Sequence, residues 1–159
     1  MTDTVLRETL ARALAWKEAH ATFDDAIADF PAELRGVRPA GVPWSAWQLV
    51  EHIRIAQRDI LEFSLPGEYH AGDWPDDYWP KEPEPPADDA WDRAVEAIRR
   101  DREEMARLAR DPALDLTGPT PHGSGEQTQI RAILLVLDHT AYHVGQLVLL
   151  RRLLGAWQG

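Results

Sequence analysis

One long apolar segment near the C-terminal end constrains the fold most strongly. Residues 133–137 and 147–150 would be apolar on every side of a helix, so this segment is predicted to be a helix covered on more than one face. We expect it to begin at about Glu126 and to end near Gly155. Such a helix lies either in the centre of a helical bundle or against a second subunit.

Three further segments have the apolar spacing of three and four residues that is typical of helices. They run from about Thr4 to Phe30, from Ser45 to about Ser64 and from about Asp89 to Arg110. Ser45 and Gln48 have the spacing of a capping box, and so do Ser124 and Gln127 before the C-terminal helix. We find no internal repeat and no alternation typical of strands.

The link between the second and third helices is long and rich in proline and aromatic residues. Residues 65–87 read LPGEYHAGDWPDDYWPKEPEPPA, which excludes a helix or a central strand. Helix hairpins usually need only about 2–8 linking residues, so this link is long enough to cross over and bring the third helix parallel to the second. The sequence therefore predicts an all-α single domain over residues 1–159, a four-helix bundle with a long crossover between helices 2 and 3.

The composition limits the chemistry and the partners. The chain has no cysteine, which excludes disulfides, thiolate ligands and a cysteine nucleophile. A net charge of −10 disfavours nucleic acid as a partner. No run of about 18–20 uninterrupted apolar residues and no secretory signal is present, so we expect no membrane partner and a cytoplasmic location.

Three histidines form the candidate site. His139 and His143 are four residues apart, so both lie on one face of a helix. They are either two half-buried hydrogen-bonded rings or a chelating pair, and two unpaired polar rings in so apolar a helix would be costly to bury. His52 interrupts another apolar run, LVEHIRIA. If the two helices face each other, the three imidazoles can hold zinc, nickel or iron with an open position.

Two motifs resemble the DinB-like superfamily of metal-binding four-helix bundles. DHTAYHVGQLVLLRRLLGAW is similar to the signature helix of that family, and PWSAWQLVEHI is similar to its second helix. The resemblance implies that His52, His139 and His143 are metal ligands, that the helices run up-down-down-up, and that the protein is a homodimer. Val144 departs from the family, since many members have arginine there, and this puts any substrate contact by that arginine in doubt.

Four polar residues are candidates to support the ligands or to line the pocket. Gln48 and Asp59 share the helix face of His52, and Asp59 is interpreted as a hydrogen-bond acceptor, a general base or, preferably, a salt-bridge partner. Gln146 is placed to orient a ligand or to touch substrate. Tyr142 either donates a hydrogen bond to a metal-bound substrate or packs.

The remaining histidines and the tryptophans have weaker claims to the site. His20, His70 and His122 are secondary candidates, and His122 is expected to be exposed because it lies in a loop rich in proline and glycine. Trp47 and Trp91 have core-like spacing. Trp74 and Trp79, in the crossover, are candidates for the mouth of a pocket.

Two functions are consistent with these residues. A metal with an open position lowers the pKa of bound water or thiol and so creates a nucleophile. The family includes transferases that depend on bacillithiol or mycothiol, so the resemblance implies a metal-dependent transferase or hydrolase, with a small thiol as possible cosubstrate and a small molecule as substrate. The catalytic residues are unknown. The alternative is a non-catalytic, stress-related module for metal binding or dimerisation.

Overall fold

The protein is all-helical, as predicted. The computed structural model describes residues 2–157, and this range contains no β-strand. Its helices are α1 (Thr2–Ala13), α2 (Phe23–Ile27), α3 (Ala46–Ser64), α4 (Ala90–Arg110) and α5 (Gln129–Leu153), with one short 3-10 helix at Ala32–Leu34.

The prediction of one continuous first helix from Thr4 to Phe30 is wrong. The segment is divided because Thr22 starts a new helix: its hydroxyl accepts a hydrogen bond from the Asp25 amide at 3.0 Å, and the Asp25 carboxylate accepts one from the Thr22 amide at 2.9 Å. In this capping box the two amides donate to side chains, whereas in a continuous helix they would donate to the carbonyls of the preceding turn. The apolar stripe still packs inwards, since Phe23 and Phe30 are buried.

The start of α3 agrees with the sequence. The Ser45 hydroxyl accepts a hydrogen bond from the Gln48 amide, and the Gln48 side-chain oxygen accepts one from the Ser45 amide, both at 3.2 Å. This reciprocal capping box fixes the first turn of the helix. His52 is among the buried residues of this helix.

The C-terminal helix begins at Gln129, three residues later than the predicted Glu126. Its N-cap is Thr128, whose hydroxyl accepts a hydrogen bond from the Arg131 amide at 3.4 Å. The Ser124 amide does donate to the Gln127 side chain, at 3.1 Å, but that contact closes a turn ahead of the helix. The prediction that Ser124 and Gln127 cap this helix is therefore wrong, because the N-cap is Thr128.

Helix α3 lies against both α4 and α5. The Gln57 side-chain amide donates to the Ile98 carbonyl of α4 at 2.7 Å, and the Gln129 side-chain amide of α5 donates to the Ser64 carbonyl at 3.1 Å. Buried polar groups of this kind are stable only when paired. These contacts hold α3 in place, so that His52 faces α5.

Buried apolar side chains form two clusters between the helices. One cluster includes Trp47 and Trp91, which are both buried, as their spacing predicted. The other lies towards the end of α3 and includes Leu61 and Met105. Each fully buried side chain of this size contributes about 1.5–3 kcal/mol to folding, and the cluster around Trp47 forms the rigid surroundings of His52.

Helix α5 is also long and apolar enough to cross a membrane, judged by length and composition alone. Its most apolar stretch of 18 residues has a mean hydropathy of 1.4, and 33% of that stretch is buried within the protein. Core helices of soluble proteins meet the same criteria, so one such helix is weak evidence for a membrane span.

Candidate metal centre

Three histidines from two helices meet at one point. The Nε2 atom of His139 lies 3.0 Å from Nε2 of His52 and 3.2 Å from Nε2 of His143. His52 comes from α3, and the other two come from successive turns of α5. His52 and His143 are buried, and His139 is half-buried. The structure therefore brings together the three residues that the sequence singled out.

The second ring nitrogen of two of these histidines lies against an acceptor. Nδ1 of His52 is 2.8 Å from the Tyr78 carbonyl oxygen, and Nδ1 of His143 is 2.7 Å from the Gln146 side-chain oxygen. An acceptor oxygen requires a proton on Nδ1, so in the neutral rings Nε2 carries a lone pair. Both lone pairs are directed to the common point.

The donor set fits a divalent metal ion. A neutral His139 has only one N–H, so it cannot donate to both neighbouring Nε2 atoms, and at least one contact at about 3 Å is left without a hydrogen. Three nitrogens at about 2.0–2.1 Å from one tetrahedral zinc ion would lie about 3.3–3.4 Å apart, close to the distances found. The group can therefore bind a metal ion.

Burial keeps the three rings neutral. It lowers the pKa of His52 and of His139 to about 4, and the neighbouring imidazoles act in the same direction. The pKa of His143 is also lowered by burial, while its hydrogen bond to Gln146 opposes the shift. At neutral pH all three rings therefore keep the lone pairs that a metal needs.

Aromatic side chains of the crossover form one wall of the site. The Trp79 ring stacks on His52 with centroids 3.7 Å apart and an angle of 8°, and Trp44 stacks on the other side of Trp79 at 4.1 Å. Trp74 is exposed and lies 6.5 Å from His52. Trp79 thus covers the His52 ring directly, and Trp74 lies further out at the rim.

Gln146 and Tyr142 both contact His143, although in different ways. Gln146 accepts its hydrogen bond, which is one of the two roles expected for it. Tyr142 packs its ring edge-on against His143 with centroids 5.0 Å apart, and its side chain is largely exposed. Its hydroxyl is therefore accessible to a molecule at this face of the protein.

Gln48 and Asp59 contact the crossover instead of the histidine rings. The Gln48 side-chain amide donates to the Pro80 carbonyl at 2.8 Å, so it anchors the segment that carries Tyr78 and Trp79. Asp59 accepts a hydrogen bond from the Tyr69 hydroxyl at 2.8 Å. This hydrogen bond takes the place of the preferred salt bridge, and Asp59 has no ion-pair partner within residues 2–157.

The other three histidines lie outside the centre. His20 and His70 are exposed. The expectation that His122 is exposed is wrong: it is half-buried, its Nε2 lies 3.1 Å from the Leu65 carbonyl oxygen, and its ring packs 5.2 Å from that of Tyr69. The crossover covers it, which its own loop sequence does not reveal.

Val144 is buried in the core among apolar side chains. The family resemblance had led us to compare this position with the arginine that many members carry. The Tyr78 carbonyl was not predicted, because every residue carries a carbonyl and its identity gives no signal.

A comparison with known protein families gives a match that spans the candidate site. The family model of the DinB superfamily matches residues 15–147, a range that includes all three histidines. No curated protein and no solved structure matches the chain. The family match covers most of the chain, so this protein belongs to the DinB superfamily.

Proposed function

We propose that the protein binds one divalent metal ion through His52, His139 and His143 and uses it in a transferase or hydrolase reaction on a small molecule. The observation that carries the proposal is the convergence of three Nε2 atoms, 3.0 and 3.2 Å apart, with Nδ1 of two rings against acceptors. Membership of the DinB superfamily supports it.

The chemistry follows from the ligand count. Three imidazole ligands leave one coordination position of the metal open. The metal would lower the pKa of a water or thiol that binds at that position. The protein's own residues would orient the site: Tyr78 and Gln146 fix the ligand rings, and Trp79 excludes water from one face of His52. The exposed Tyr142 hydroxyl would donate a hydrogen bond to the substrate.

Zinc, nickel and iron all accept this ligand set. A small thiol such as bacillithiol, mycothiol or glutathione is the proposed cosubstrate, because transferases of the family use such thiols; the absence of cysteine from the chain is consistent with this. Water would replace the thiol in a hydrolase.

Elemental analysis of the purified protein tests the metal site. We expect about one metal ion per chain, and we expect His139→Ala and His143→Ala to lose it. His122→Ala is the matched control, because His122 is a half-buried histidine outside the centre. If both site variants keep stoichiometric metal, the proposed ligand set is wrong.

A second experiment tests catalysis. The protein loaded with zinc, nickel or iron would be assayed with each of the three thiols and an electrophilic aryl halide dye, and with a hydrolysable ester. Turnover that disappears with chelator and in His139→Ala supports the enzyme. Absence of metal-dependent turnover with every pair favours the alternative.

The alternative is a non-catalytic metal-binding module, stress-related and acting through dimerisation. Asp59, the one candidate general base from the sequence, is engaged by Tyr69, which favours this alternative. X-ray absorption of the metal-loaded protein separates the two functions: three histidines plus water supports the enzyme, and a fourth protein ligand supports the module.

We also propose that α1, α3, α4 and α5 form a four-helix bundle with up-down-down-up order. The pairing of Ser64 with Gln129 at one end and of His52 with His139 further along supports an antiparallel arrangement of α3 and α5. The starts of α3 and α4 share one apolar cluster, which includes Trp47 and Trp91, and their later turns share the other, which includes Leu61 and Met105; this supports α4 running parallel to α3. The single domain, the cytoplasmic location and the absence of membrane and nucleic-acid partners stay predictions.

A further inference from the structure

Two strongly exposed aromatic side chains border the candidate metal centre. Trp74 and Tyr142 are 70% and 65% exposed. The Trp74 ring lies 6.5 Å from the His52 ring, and the Tyr142 ring lies 5.0 Å from the His143 ring. The rings of His52 and His143 are themselves 4.7 Å apart, so one aromatic side chain reaches the centre from the crossover and the other from α5. We call Trp74 and Tyr142 the aromatic rim.

The exposure of the aromatic rim contrasts with the burial of the groups beside it. Large aromatic side chains stabilise a protein chiefly when they are buried, and the rim keeps most of its surface in solvent. His52 and His143 are only 2% and 5% exposed, and their Nε2 atoms converge with that of His139. Apolar and aromatic surface next to a few convergent polar groups is typical of a site for a small molecule.

The charges around the rim decide which small molecule suits it. The two segments that carry the rim, residues 66–80 and 133–150, contain no lysine and no arginine. The two arginines of α3, Arg54 and Arg58, are each paired with a glutamate of the same helix. Such a surface attracts cations and repels anions. The two segments carry five exposed carboxylates that form no ion pair in the described part of the chain: Glu68, Asp73, Asp76, Asp77 and Asp138.

We propose that the small molecule which this centre accepts carries a positively charged group, and that Trp74 and Tyr142 bind this group through their ring faces. Aromatic faces attract cations, and quaternary ammonium ligands are recognised in this way. The reacting part of the same molecule would lie at the three histidines. The inference rests on the proposed function for the place of the reaction, whereas binding of the cation needs only the rim and its carboxylates.

Isothermal titration calorimetry of the purified full chain with benzyltrimethylammonium tests the proposal, and benzylsulfonate is the matched anion. At low salt we expect the cation to bind about tenfold more tightly than the anion, or more, because the carboxylates repel the anion. Trp74→Ala and Tyr142→Ala should each weaken binding of the cation about two- to fivefold. Trp16→Ala is the control and should leave binding unchanged, because Trp16 is also exposed but lies in the link between α1 and α2.

A second titration places the positive group at the metal. The cobalt-loaded protein would be titrated with three small thiols that differ in charge, namely cysteamine, mercaptoethanol and mercaptopropionate. A metal deprotonates a thiol that coordinates to it, and the visible spectrum of cobalt reports the binding. We expect the cationic thiol to bind most tightly and the anionic thiol least tightly. The double variant Asp73→Asn, Asp138→Asn should reduce this preference about threefold or more.

Three results would overturn the proposal. They are equal affinity for the cation and the anion, cation binding that survives the combined Trp74→Ala and Tyr142→Ala changes, and an equal loss of binding in Trp16→Ala. Failure of the proposed function gives a different result. A protein that binds no cobalt but still distinguishes the cation from the anion through Trp74 and Tyr142 would refute the metal function and support the cation site.

Discussion

His52 and His143 occupy equivalent positions at the candidate metal centre but are oriented by different parts of the chain. The acceptor for His143 is Gln146, three residues further along the same helix. The acceptor for His52 is the carbonyl of Tyr78, 26 residues away in the crossover. One contact is local to a helix, and the other depends on the path of a long loop.

Because of this difference, the two histidines depend on different parts of the chain for their orientation. The His143–Gln146 pair is brought together by helical geometry, so it forms whenever α5 forms. The His52–Tyr78 contact requires the crossover to lie on the start of α3, and the Gln48 side chain holds it there through the Pro80 carbonyl. The α3 side of the centre is therefore more sensitive to changes at a distance.

The largest expected effect comes from removing either of these histidines. His52→Ala and His143→Ala should each lower metal affinity by about a hundredfold or more, because two imidazoles and water replace three. Competition with a chelating dye measures the affinity, and His122→Ala should match the wild type. If the two variants lose metal affinity to very different extents, His52 and His143 do not contribute equally to metal binding.

The next effect tests the long-range support. Gln48→Glu keeps an acceptor for the Ser45 cap but removes the amide that donates to Pro80. We expect metal affinity to fall about 10–100-fold, the range for loss of support behind a ligand.

Gln57→Glu is the matched control for Gln48→Glu. It makes the same substitution on the same helix and removes a donor to the Ile98 carbonyl. It should lower thermal stability with a smaller change in affinity. Equal losses of affinity in the two variants would mean that Gln48 acts through general stability and not through the crossover.

Breaking the local support should cost less. Gln146→Leu removes the acceptor at His143, and we expect about a tenfold loss of metal affinity. Gln146→Glu keeps an acceptor at the same place and should retain the affinity. The visible spectrum of the cobalt-substituted protein gives a second readout, which a change in overall stability alone would not move. If Gln146→Leu has the metal affinity and the cobalt spectrum of the wild type, Gln146 does not orient His143.

A separate prediction concerns the pH dependence of the stability of the metal-free protein. The pKa of His52 and of His139 is about 4 in the folded chain and near 6.5 for an unperturbed histidine. Between these values the unfolded chain binds more protons, so the free energy of unfolding should fall as the pH drops from about 6.5 to about 4. Urea titrations at several pH values measure this slope. His139→Leu should make the free energy of unfolding depend less steeply on pH. A slope equal to that of the wild type would contradict the conclusion that His139 is buried and neutral.

Sequence reasoning worked best where the determining contacts are short. The α3 capping box and the histidine pair of α5 were predicted correctly because each depends on residues three or four apart. The break before α2 also has a local signal, the capping spacing of Thr22 and Asp25, but the regular apolar stripe through Phe23 and Phe30 favours a continuous helix.

The sequence by itself determined the helical class, the N-terminal cap of α3 and the pairing of His139 with His143, because periodicity, capping and spacing act within a few residues. Only the tertiary structure decided that His52 meets that pair, that the Tyr78 carbonyl orients it and that Trp79 covers it. These contacts join segments far apart in the chain, and one of them uses a backbone carbonyl that every residue carries. Their positions depend on how the crossover packs, which no local pattern specifies.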